Sequence, residues 1–243
     1  MNRIKSGALT LGILTLAACS DTVGPEAFEE SLTLDAAMIA ADATIDEYGD
    51  LGLLFGGGAL PAASRADTRI VEHTATFFDD FGNEQGERDP LTTASIHLVI
   101  EATHEFSRDS WTATGTRSRN LVISGLLGEE TTRIVNGTGN SSVNRSQHAD
   151  EDGERTYDMT SVSVIENVVH AVPRTEDSWP LSGTITRDVT VNVINGPNGD
   201  VTRTRTVVIT FDGTNWATMT VGEDVFEVDL STRSGRHPFR KRP

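Results

Sequence analysis

Between Gly183 and Leu230 the chain alternates so regularly that only an extended backbone can use it. Ile185, Val189, Val191 and Val193 fall on one side of a period-two pattern, against Thr184, Thr186, Asp188, Thr190 and Asn192 on the other. That period belongs to a strand with one face buried and one wet. Asn195-Gly196-Pro197-Asn198-Gly199-Asp200 has the composition of a turn. Val201 to Phe211 then returns with Val207, Ile209 and Phe211 in phase, opposite Thr206 and Thr210. Asp212-Gly213-Thr214-Asn215 turns again, Trp216 to Val221 runs back, and Gly222-Glu223 leads into Asp224 to Leu230. Consecutive strands joined by such short turns pair antiparallel, which predicts a meander.

The same texture of Thr, Val, Ile and Arg begins at Asp67. It predicts strands over Thr68 to Phe78, Leu91 to Thr103, Trp111 to Ser124 and Glu129 to Gly137. A polar Gly/Asn/Ser stretch to Gln147 follows, then a pair of strands over Glu154 to Ile165 and Asn167 to Val172. About ten strands in one unit imply a curved sheet, a sandwich or a barrel-like closure. An outer-membrane barrel has a similar rhythm, but it needs two aromatic girdles, and the chain has two Tyr and three Trp. Arg203 and Arg205 would also fall on its lipid face. The fold expected is therefore mainly β, a single antiparallel domain over residues 67–230.

One short helix precedes it. Leu32, Leu34, Met38, Ile39, Ala41 and Ile45 fall near helical spacing within Ser31 to Tyr48, among alanines that favour helix. Its apolar stripe is expected to pack on the β domain. Gly49 to Ala63 breaks the pattern. Gly56-Gly57-Gly58 lacks a following Gly-Lys-Ser/Thr, so no phosphate loop is implied.

The N-terminus is laid out for export: Arg3 and Lys5, an uncharged run from Gly7 to Ala18, and small residues at its end. That run of 12 residues covers about 18 Å as a helix, too short for a hydrocarbon core of about 30 Å. Leu16-Ala17-Ala18-Cys19 resembles the lipobox of bacterial lipoproteins. In that family the leader is cut before the cysteine, which carries acyl chains on its sulfur and amine. The resemblance covers only the first twenty residues or so. It implies a signal peptide over 1–18 and lipidation at Cys19; composition and periodicity add a tether, helix and linker, so that 19–66 is expected to be a stem. Several acyl chains together make a stable anchor. Ser20, rather than Asp, follows the cysteine, and the resemblance then implies the outer membrane, with the membrane face left open.

Cys19 is the only cysteine, so no disulfide and no cysteine-type zinc site is available to the 225 residues after the leader. From Ser20 to Leu230 there are 13 basic against 36 acidic residues, a net charge of −23. A body so acidic repels phosphate backbones, which argues against a nucleic-acid partner. The last 13 residues, 231–243, hold five bases and no acid, and read as a frayed terminus or a contact for anionic lipid.

Chemistry is harder to find. His73, His97, His104, His148, His170 and His237 form no His-Glu-x-x-His pattern, and no Gly-x-Ser-x-Gly or Ser-x-x-Lys is present. His148 to Glu154 matches part of a calcium loop through Asp150, Asp152 and Gly153, but Met159 stands where the closing glutamate belongs. Asp79-Asp80 reads as a turn. No catalytic residue, metal site or cofactor is expected. The function expected is that of a lipid-anchored envelope protein acting as a non-enzymatic binding or structural module. Its partner would be an envelope protein, a polymer or a hydrophobic ligand. A carrier of a lipid or apolar ligand and a hydrolase of envelope polymers are the alternatives.

Overall fold

The computed structural model describes residues 33, 36–37, 39–41, 43–44, 68–108, 111–149, 153–175, 178–195, 199–231 and 239–241. Cys19 and its leader, the tether, the Gly-rich linker and residues 150–152 of the calcium-like loop lie outside these residues, as does His237.

A helix, α1, contains the described residues between 33 and 44. Eleven strands follow: β1 (Thr68–Phe78), β2 (Glu84–Gln85), β3 (Ser95–Arg108), β4 (Trp111–Ser124), β5 (Thr132–Ala149), β6 (Gly153–Ala171), β7 (Ser182–Ile194), β8 (Val201–Thr210), β9 (Trp216–Val221), β10 (Asp224–Asp229) and β11 (Phe239–Lys241). They form one antiparallel sheet in the order β11-β10-β9-β8-β7-β6-β5-β4-β3-β1-β2. The protein is therefore mainly β, a meander preceded by one short helix. Of the architectures open to the sequence, the described residues form a single open sheet, and neither a sandwich nor a closed barrel. Each terminal strand is two or three residues long; β2 pairs only with Phe77 and Phe78, so most of β1 forms the sheet edge on that side among the described residues.

Several boundaries differ from expectation. The polar run after Gly137 is not a loop: β5 continues through it to Ala149, paired with β4 on one side and β6 on the other. Hydrogen bonding from both neighbours outweighs the poor strand preference of Gly, Asn and Ser. The two strands expected between Glu154 and Val172 are one strand, β6, whose register slips between Glu166 and Val169, with Asn167 at a φ of 50°. Leu91 is not in a strand. It lies 80% exposed in a turn that Asp89 closes by accepting the Leu91 amide at 2.8 Å, and β3 starts at Ser95. In the basic tail, Phe239–Lys241 pairs with Phe226–Val228 of β10. Arg240 there meets Glu227 at 2.6 Å and lies 4.5 Å from the centre of the Trp216 ring.

The hydrophobic core lies on one face. Leu98, Leu121, Ile123, Val135, Ile165, Val189, Val191, Val207, Ile209, Met219 and Phe226 are all buried there, and Ala36, Ala37, Ala40 and Ala41 of α1 belong to the same cluster. Spacings of three and four put these alanines on one side of the helix. Thr44 joins them, buried, with its hydroxyl donating to the Ala40 carbonyl at 2.7 Å. The sheet residues Gly139, Ser161 and Ser163 are likewise small and buried. Arg119 donates to the Ala43 carbonyl at 3.4 Å.

Candidate functional site

Cross-strand register, more than any single strand, decides what each face carries. Every arginine of β4, β5, β7 and β8 points to the core face: Arg117, Arg119, Arg133, Arg145, Arg187, Arg203 and Arg205. Arg117, Arg119 and Arg187 are buried. Arg133, also buried, donates to the carbonyls of Gly125, Glu130 and Thr132 and so ties down the β4–β5 loop. Burial holds its guanidinium somewhat below its ordinary pKa.

The opposite face carries none. Among the described residues, its side chains from β3 to β8 include no Lys or Arg. One register row runs Thr103, Thr116, Ser142, Thr160, Thr190, Thr204, a hydroxyl from each successive strand. The next row runs Glu101, Ser118, Asn140, Val162, Asp188, Thr206. Neighbouring strands lie about 4.8 Å apart, so these rows form a lattice of hydroxyl, amide and carboxylate groups interrupted by the exposed Val162. Where β1, β3, β4 and β5 meet, the face dips into an open trough of ≈ 480 Å³, lined by Ile70, Glu72, Glu101, Thr103, Thr116, Ser118, Asn140 and Ser142 of this face and by Ala102, Arg117 and Ser141, whose register positions belong to the core face. Glu72 and Glu101 are directly opposite each other, an arrangement of like charges that weakens a strand pair.

Comparison with protein families, with curated proteins and with solved structures finds no match. The chemistry of this face therefore rests on its own residues.

The histidines are spread over the sheet. His73 is exposed on β1, and His97 on β3 pairs its Nε2 with the Asn120 side-chain oxygen on the polar face. His104 packs its ring over Gly115, directly opposite on β4. His170 is buried on β6 opposite Arg133. Burial, then the charge of Arg174, lowers its pKa to about 4, so the ring is neutral. Among the described residues no group of His, Cys, Asp or Glu is arranged to hold a metal. Asp79 is the turn residue expected: its carboxylate accepts the amides of Phe81 and Asn83 and the Asn83 side chain. Those bonds, the Asn83 side chain first, lower its pKa. His148 is the penultimate residue of β5, with Glu154 as its strand partner.

The hydroxyl rows escaped the sequence reading as a site. Their signal was present in Thr-x-Thr pairs such as Thr114-Gly115-Thr116, Thr184-Ile185-Thr186 and Thr202-Arg203-Thr204. A single strand does not say which pairs align with which.

Proposed function

We propose that this chain is a lipid-anchored cell-envelope protein, attached through Cys19 to the outer membrane, and that it works as a non-catalytic binding module. Its working surface is the hydroxyl-rich face of the sheet. The observation that carries this reading is the placement of side chains: the buried core and the arginines share one face with α1, while the other, which also exposes Val122, Val162 and Val164, carries no Lys or Arg from β3 to β8 among the described residues. Nothing in strand formation demands that asymmetry, since arginine tolerates an exposed strand position well. The anchor rests on Leu16-Ala17-Ala18-Cys19 and the leader before it.

The carrier reading would use the apolar face, and α1 already contributes Ala36, Ala37, Ala40 and Ala41 to that core. A hydrolase would draw on a histidine beside a carboxylate, and His97, on the polar face, bonds to the Asn120 amide instead.

The reading is tested by passing envelope extract over immobilised full-length chain and over beads carrying lipid alone. Wild type should retain a component that Thr160→Lys with Thr204→Lys releases, these positions being exposed. Recovery of nothing above the lipid-only control contradicts the proposal.

A further inference from the structure

The trough differs from the rest of the polar face in how its groups are used. Toward β7 and β8 three pairs of polar side chains satisfy one another: Thr190 with Thr204 at 2.9 Å, Thr202 with Asn192 at 2.9 Å, and Thr206 with Asp188 at 2.7 Å. In the trough, Thr116, Ser118, Asn140 and Ser142 have no side-chain hydrogen-bond partner among the described residues. Their donors and acceptors face solvent beside Glu72 and Glu101.

We propose that this trough binds a segment of a neutral polysaccharide, laid across the strands along the row that starts at Thr103, Thr116 and Ser142. The inference rests on the reading of the chain as an envelope binding module and names the class of its ligand. Charge narrows the choice first. A phosphate, a uronate or an anionic lipid head would meet Glu72 and Glu101 with no Lys or Arg side chain on that face to offset them. An apolar ligand would strip water from hydroxyls and an amide without replacing their bonds. A sugar hydroxyl both donates and accepts. It can donate to the carboxylates of Glu72 and Glu101 in charge-assisted bonds, and accept from the Asn140 amide and the Thr116 hydroxyl.

Geometry agrees with the chemistry. Successive hydroxyls of the row are spaced by the strand separation of about 4.8 Å, close to the length one ring adds to an extended glycan. Adjacent strands rotate by about 20–25°, and a chain of sugar rings can follow that twist where a flat crystalline lattice cannot. The trough is open rather than enclosed, which suits the middle of a chain better than its end.

The test is native electrophoresis of the full-length chain, in a polyoxyethylene detergent, through gels containing a neutral β-glucan, a neutral galactomannan or polygalacturonate. At least one neutral polymer should slow the wild type in proportion to its concentration, and polygalacturonate should not. Ser118→Ala with Asn140→Ala, which removes two ligand bonds, should weaken retardation about tenfold, while Thr210→Ala on the same face leaves it unchanged. Equal retardation by polygalacturonate, retardation that the double variant leaves intact, or none with either neutral polymer overturns the proposal. A chain that retains an envelope component yet ignores every neutral polysaccharide loses the glycan ligand and keeps its binding role; one that does neither loses both.

Discussion

At Gly183 the backbone sits at a φ of 111°, opposite the slip in β6, and its carbonyl accepts the Phe211 amide at 3.1 Å. An added Cβ would meet the Val168 Cα at 2.5 Å and the Asn167 carbonyl closer still. Both neighbours are backbone, so the strand rather than a side chain has to move. Gly183→Ala should cost about 1–3 kcal/mol, seen as a lower urea midpoint at unchanged slope. His170 gives a pH dependence with a definite sign. Its folded pKa of about 4 lies below the ordinary 6.5, so on acidification the unfolded chain takes up a proton before the folded one does. The stability this group contributes is complete above pH 6.5 and is lost as the pH falls toward 4. Against His170→Gln, the wild type should lose on the order of 3 kcal/mol more between pH 7 and pH 4, read from paired denaturation curves. Equal loss in both chains would show that the ring titrates freely.

At the scale of elements, α1 brings four alanines into the core of the sheet, with Ile39 packed beside them. Ala36, Ala37, Ala40 and Ala41 are fully buried, so any added methylenes must displace something. Ala40→Leu should destabilise by about 1–3 kcal/mol through overpacking, measured by thermal unfolding. The sequence predicts this helix and a stripe of Leu, Met and Ile; among the described residues the buried face is mainly alanine. Strands with strong alternation are legible nearly to the residue: β1, β4 and β9 run as their patterns predict, because burial of one face fixes their phase. β5 is not legible past Gly137, since its Gly, Asn and Ser positions are held by two neighbouring strands and not by their own preference. The strand in the basic tail was illegible for another reason. Three residues carry no period, and what fixes them includes Arg240 against Glu227 and Trp216. Arg240 is 65% exposed; Arg240→Ala should therefore cost no more than about 1 kcal/mol, with a change in Trp216 fluorescence.

Taken whole, the molecule separates its chemistry by face and its charge by position along the chain. The alternation within each strand was readable, but the rows of the polar face arise from register across β3 to β8, which no single stretch encodes. Self-repulsion within a body of −23 favours a dispersed, unaggregated protein, and the trough's two glutamates add to that field locally. Attachment to a membrane would present such a face to the surrounding envelope at high effective concentration. That arrangement depends on Cys19, and so the measurement that tests it most directly is intact mass with membrane fractionation of native protein, wild type against Cys19→Ala. The expected result is a wild-type chain cut before Cys19, heavier by its acyl chains and found in the membrane fraction, with Cys19→Ala released from it. An unmodified wild type in the soluble fraction would contradict it.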